Sequence, residues 1–312
     1  MRISVVATCE LWLGCRTWLR AQHGAAAVPR SIRLTPRARA PLVLAAFAAA
    51  SAAAATTAAE RLPRVASINV CTDQHLLALA DPEQILTVSW LAADPEESLL
   101  ASEARRYTLN YGTAEELLKF APDVVLAGTY TSPFTRTMLR RLGYRVVEIE
   151  PEASVADIER NVRLVAETVG QVARGEQLVA KLREDVHAIE ANRPAHKLAA
   201  VIVRPGGFTV GADSLANELL TLAGFTNVAA ERGLDRWGSL SMEALLRAEP
   251  DVIVLTGYRS YQPSLANAVL EHPALRRLGA TQRTITVHTA LWACGVPGSI
   301  EAAALLQRDG NP

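Results

Sequence analysis

One segment of the 312-residue chain occurs twice. Thr113-Ala-Glu115-Glu-Leu-Leu-Lys-Phe-Ala-Pro122-Asp123-Val-Val-Leu returns as Ser241-Met-Glu243-Ala-Leu-Leu-Arg-Ala-Glu-Pro250-Asp251-Val-Ile-Val at a constant offset of 128. Thr113 and Ser241 are of the type that caps a helix, and Glu115 and Glu243 fall in the first turn, where a carboxylate meets the positive end of the helix dipole. The leucine pair turns to a sheet, and Pro-Asp ends the helix before a buried Val/Ile strand. Two copies of a helix–strand unit so far apart call for two α/β lobes. On the residues alone, each glutamate is better accounted for as simply a favourable first-turn acid.

The rest of residues 60–312 repeats that grammar. Strands are expected at Arg64–Val70, Gln84–Val88, Val124–Ala127 and Arg145–Ile149 in the first half, and at Lys197–Val203, Val252–Leu255 and Thr284–Val287 in the second. Helices are expected from Thr72, at Ala114–Phe120, around Thr135–Leu142, at Ser214–Ala223 and from Ser299. Strand followed directly by helix is the unit of a parallel sheet. Between the halves, apolar residues at 155, 158, 162, 165, 169, 172, 179, 182, 186 and 189 keep helical spacing. Gly170 and Gly175 interrupt that stripe, which predicts a kink or two helices, the second from about Arg174 to Ala191 and roughly 28 Å long. The organisation expected is a leader at 1–59, an N-terminal lobe at 60–153, a helical linker at 154–192 and a C-terminal lobe at 193–312.

With the repeated E-x-x-x-x-x-x-P-D-V-[VI] element and the single helical crossing in view, the chain from 64 to 308 resembles the periplasmic substrate-binding proteins of ABC importers for iron chelates and cobalamin. The resemblance implies two Rossmann-like lobes with parallel sheets, joined by one long helical crossing, with a ligand cleft between them and no catalysis. It further implies that Glu115 and Glu243 dock onto arginines of a dimeric permease in the inner membrane, Glu116 being able to replace Glu115. One charge per lobe would fix orientation and steer encounter. The ligand implied is a metal chelate, with iron-siderophore expected first, cobalamin second and haem third, and the protein is expected to be a periplasmic monomer without a resident cofactor or metal.

In parallel sheets the ligand lies beyond the carboxyl ends of the strands. The residues there are Asn69 and Cys71, Ser89 and Trp90, Thr129 and Tyr130, Arg204 with Phe208, Tyr258 with Arg259, and Trp292 with Cys294. Aromatic rings at these points suit a large, partly apolar ligand. Arg204 and Arg259 are suited to carboxylate or phosphate. Any one of these side chains serves equally well as lobe packing or solvated surface. Trp90 and Trp292 are expected to face one cleft from opposite lobes.

Composition enters through its asymmetry. The leader holds seven arginines and one acid, so that residues 60–312 carry 25 basic against 31 acidic side chains although the whole chain is neutral. A body at −6 disfavours nucleic-acid partners and polybasic membrane attachment. Arg30, Arg33, Arg37 and Arg39 precede Pro41–Ala50, and small residues run from Ser51 to Ala59. That basic–apolar–small order is a secretory signal over about 30–59, too short in its apolar part for a stable span. Trp12-Leu13-Gly14-Cys15 is a poor match to a lipoprotein site. Of the body's cysteines, Cys71 and Cys294 are 223 positions apart, and spacing does not choose between a disulfide and two thiols. A disulfide would tie the lobes across the cleft.

Two rival readings fare worse. An enzyme lacks every familiar nucleophile, phosphate-loop and zinc signature, leaving only Cys71 and His75 one helical turn apart. A free-metal-ion binder would need several clustered ligands, and His75, His187, His196, His272 and His288 are scattered.

Overall fold

In the computed structural model the described residues are 61–257 and 264–310. The leader, with its expected signal, lies outside them, as do Tyr258 and Arg259.

The first lobe consists of β1 (Val65–Ser67), α1 (Val70–Leu79), β2 (Ile85–Ser89), α2 (Ala101–Ala104), β3 (Thr108–Asn110), α3 (Ala114–Leu118), β4 (Val124–Gly128), α4 (Pro133–Arg141) and β5 (Arg145–Ile149). Its five strands are all parallel, in the order β3-β2-β1-β4-β5. Successive β1 and β4 residues feed opposite faces. Val65, Val124 and Leu126 pack with Leu76 and Ile158, whereas Ala66, Val125 and Ala127 pack with Leu117 and Leu139. A sheet covered on both sides needs such unbroken apolar strands.

Next come α5 (Val155–Val169) and α6 (Val172–Ala191). The apolar stripe therefore breaks into two helices, and the break lies at Gly170, in the left-handed region at φ 75°. Arg163 pairs with Glu176 and Arg183 with Glu159, so the helices run antiparallel as a hairpin. Gly175 does not interrupt α6 but permits the close approach: a Cβ there would lie 2.5 Å from that of Ala166. Only α6 makes the crossing. At its start Gln171 and Arg174 hold Asp81 of the first lobe at 2.7 and 2.8 Å. At its end the Ile189 carbonyl accepts from Gln307 of the second lobe.

The second lobe runs through β6 (Leu198–Val203), β7 (Phe208–Val210), α7 (Leu215–Leu222), β8 (Phe225–Asn227), α8 (Val228–Glu231), β9 (Trp237–Ser239), α9 (Met242–Ala248), β10 (Val252–Leu255), α10 (Pro273–Thr281), β11 (Arg283–Thr286) and α11 (Ile300–Gly310). Its main sheet is parallel in the order β11-β10-β6-β8, and β7 and β9 form a separate antiparallel pair.

The repeat proves structural at each position. Thr113 Oγ1 accepts from Glu116 N and Ser241 Oγ from Ala244 N, the two predicted caps. Ala121 and Glu249, 128 apart, both hold φ 44°, the described non-glycine residues with positive φ. The aspartates of the two Pro-Asp pairs pin the start of each lobe's first strand. Asp123 Oδ2 accepts from Arg64 N and Asp251 Oδ2 from Ala199 N, both at 2.7 Å. The Arg64 bond is the main reason the Asp123 carboxyl titrates below its ordinary value.

One boundary differs from expectation with consequence for the site. Helix α1 begins at Val70, not Thr72, because Asn69 is its cap, its Oδ1 accepting from Cys71 N at 3.0 Å.

Candidate functional site

A cavity of about 890 Å³ lies between the lobes, beyond the carboxyl ends of β1, β4 and β5 on one side and β6 and β10 on the other. Asn69, Thr129 and Tyr130 reach it from the first lobe, and Arg204, Thr256 and Trp292 from the second. Its size falls in the range of small-molecule sites.

The floor is closed by covalent chemistry. Cys71, in the first turn of α1, and Cys294, beyond β11, form a disulfide with Cα atoms 5.1 Å apart. Cys71 thus lines the cavity as half a cystine, so a nucleophilic pair with His75 is not present. His75 is buried and lies with Nε2 3.2 Å from Glu152 Oε1. Glu152 also accepts from Asn161 Nδ2 and, through Oε2, from Gly295 N at 3.1 Å. A buried carboxylate needs such company, since unpaired it would cost several kcal/mol.

The second lobe supplies a cation. Arg204 follows β6, and its guanidinium carbon lies 5.5 Å from the centroid of the Trp237 ring. Burial pulls its pKa below the ordinary value, and Glu97 acts in the opposite sense from across the cleft. Among the described residues no carboxylate stands within ion-pair distance of it. Nearby, Arg236 pairs with Asp213 at 2.8 Å, which raises the arginine's pKa, and Tyr130 of the first lobe adds a smaller contribution in the same direction. Trp292 is nearly buried and donates from Nε1 to Thr256 Oγ1 at 3.3 Å.

Of the strand-end residues expected at the ligand, the cavity gathers Asn69, Cys71, Thr129, Tyr130, Arg204 and Trp292. Trp90 stands outside its walls, tilted 31° against Tyr111 with centroids 6.3 Å apart, so Trp90 and Trp292 do not face one cavity. The reason is local: after β2 the chain enters a tight 3-10 turn at Trp90–Ala93 that carries the ring toward the β3 edge. Phe208 is more than half exposed on β7, also outside the walls. Trp237 and the Asp213–Arg236 pair are cavity residues that the sequence did not flag. They belong to the β7–β9 region, whose three-residue strands carry too little pattern to read. His288 pairs with Glu96 of the first lobe at 3.2 Å. Among the described residues no group of three or more His, Cys, Asp or Glu is arranged to hold a metal ion.

At the repeat, Glu116 Oε2 accepts from Tyr111 N at 2.8 Å and is thereby engaged, whereas Glu115 is exposed. Glu243 is exposed too and pairs with Arg247 one turn on, at 2.7 Å.

Two parallel-sheet lobes, a single crossing helix and a cavity at the strand ends define the architecture of a two-lobed binding protein. The chain belongs to the periplasmic binding protein family, whose model matches residues 65–288. Its fold is shared with the periplasmic haem-binding protein HutB of Vibrio cholerae (TM-score 0.68, 19% identity, 80% of this chain and 99% of that one). It is shared also with the haem-binding protein RhuT of Roseiflexus sp. RS-1 (0.66, 20%, 80% and 100%) and the vitamin B12-binding protein BtuF of Vibrio cholerae (0.62, 15%, 78% and 95%). In sequence it is similar to the uncharacterised ABC transporter substrate-binding lipoprotein YvrC of Bacillus subtilis, 24% identical over 152 residues. That match covers 46% of this chain and about half, 48%, of the relative.

Proposed function

We propose that the protein is the exported substrate-binding component of an ABC importer and carries an anionic metal chelate of the iron-siderophore class to a dimeric permease. The observation that carries the ligand class is Arg204: a largely desolvated guanidinium, seated on the Trp237 face inside the cavity and lacking a carboxylate partner among the described residues. A cation so placed is a site for a ligand's carboxylate or catecholate oxygens, while the ring supports an apolar flank. Tyr130 and Trp292 line the same space. Cobalamin follows in this order, and haem after it.

Glu115 and Glu243 are the docking charges in this reading. Each is exposed in the first turn of its helix, with Glu116 committed to Tyr111. In the same reading a signal over about 30–59 is removed near Ala58–Arg61, and the mature protein works as a monomer in the periplasm.

The test is fluorescence quenching with ferric siderophores, cyanocobalamin and haemin on wild type and Arg204→Gln. The expected result is tightest binding of an anionic ferric siderophore, weakened by about 1.5–3 kcal/mol in the variant, the range for a hydrogen bond to a charged group. Preferential binding of cyanocobalamin, unaffected by Arg204→Gln, overturns the ligand class.

A further inference from the structure

We infer that the Cys71–Cys294 disulfide, reinforced by Glu152, is a fixed pivot that sets the width of the cleft and so acts as a size-selecting element of the binding site. The bond joins the first turn of α1 in one lobe to the segment after β11 in the other. Backbone continuity through α6 already joins the lobes once, so the cystine makes a second, independent covalent tether.

Around it the floor is closely packed and crossed by hydrogen bonds. Glu152 receives His75 and Asn161 from the first lobe and the Gly295 amide from the second, one residue from the cystine. Gly295 is there because nothing larger fits: a Cβ would stand 2.2 Å from that of Glu152. His288–Glu96 adds another crossing on the cystine side, and a Cβ at Gly298 would touch Leu99 at 3.0 Å. At the other end of the cavity the lining side chains are far more exposed, Tyr130 by 79% and Trp237 by 62%.

A body held at a helix and at a covalent bond has one easy motion, rotation that parts the mouth while the floor stays put. A helix would have to break hydrogen bonds to do otherwise. The floor of the cavity is therefore preformed, and ordering costs on binding are small for a rigid ligand that fits. A ligand too deep for the floor is refused, because the lobes cannot separate there.

The inference rests on the binding-protein reading for its consequence, but its test uses no ligand, so the two fail separately. Hydrogen exchange and solution scattering are compared for the oxidised protein, the same protein reduced with a phosphine, Cys71→Ser/Cys294→Ser, and Gly295→Ala with the bond intact. Expected is at least tenfold faster exchange at 150–153 and 293–296 on cutting the bond, about 1.4 kcal/mol of lost local constraint. A larger radius of gyration should accompany it, with protection of β1 and β6 unchanged. Gly295→Ala, a wedge at the floor, should loosen 150–153 even with the bond present. Unchanged exchange and radius overturn the pivot, and so does a uniform loss of protection through both lobes, which would make the disulfide a staple of overall stability. If the double serine variant fails to fold, the reduced wild type carries the comparison.

Discussion

Asp73 lies in the first turn of α1, two residues from the cystine, where a helix dipole normally keeps a carboxylate ionised. Here complete burial dominates and raises its pKa from 3.8 to about 6, while hydrogen bonds from Ser67 and Ser89 offset the shift only in part. The folded protein thus holds this proton more tightly than the unfolded chain. The stabilisation is full below pH 4, declines as the pH rises through 6, and is absent above. A gap of about two pKa units corresponds to about 3 kcal/mol. In Asp73→Asn the amide oxygen still accepts from Ser89 N and Oγ, and no ionisation remains. Urea unfolding followed by tryptophan fluorescence, on both proteins from pH 3.5 to 8, isolates this group, because other titrations cancel in the difference. The variant should gain about 3 kcal/mol relative to wild type between pH 4 and pH 7 and hold that gain to pH 8. A difference independent of pH would refute the reasoning and leave Asp73 ionised in the fold.

Glu115→Ala with Glu243→Ala should leave chelate affinity unchanged and lower uptake by cells carrying the permease, since both side chains stand outside the cavity; normal uptake would return them to simple first-turn acids. Ala121→Gly and Glu249→Gly should each raise stability by about 0.5–1 kcal/mol. A left-handed residue with a Cβ costs about 1–2 kcal/mol, and glycine's extra chain entropy returns part of it. Thermal unfolding reads the sign, and a lower midpoint in both variants would show that the φ of 44° costs nothing there.

The fold was legible where hydrophobic runs and punctuation coincide. Strand β5 lies where Arg145–Ile149 was expected and β10 where Val252–Leu255 was, the latter because a buried parallel strand is a short apolar run with sharp ends. The elements that escaped are short or polar: β3, β8, the β7–β9 pair and α10, whose existence depends on neighbours rather than on local pattern. The site was legible as a list of strand ends and not as a geometry. Placing Arg204 behind β6 needed only topology, but its seat on Trp237 depends on β9 pairing with β7. The disulfide required two lobes to close, which no spacing encodes. Glu152 carried no signal, since its partners His75, Asn161 and Gly295 lie 77, 9 and 143 positions away.

The repeat also explains why Glu115 and Glu243 stand at the cavity end of the molecule. In a strand–helix unit each helix begins where its strand ends, so the first turns of α3 and α9 stand at the same edge of their sheets as the strand ends that form the cavity. Charges there are exposed by topology, and Glu115 and Glu243 inherit the position from the common unit. Pinning by Asp123 and Asp251 fixes strand starts at the opposite edge, leaving the loops at the carboxyl edge free to diverge without disturbing either core. They have diverged chemically. The first lobe offers Glu97, Glu150 and Tyr130, the second Arg204 and Trp237, so the cavity has unlike walls built on like frames. A ligand held between unlike walls is oriented, and its exit is at the mouth. Release then requires only that mouth to part, the motion that a tethered floor leaves open.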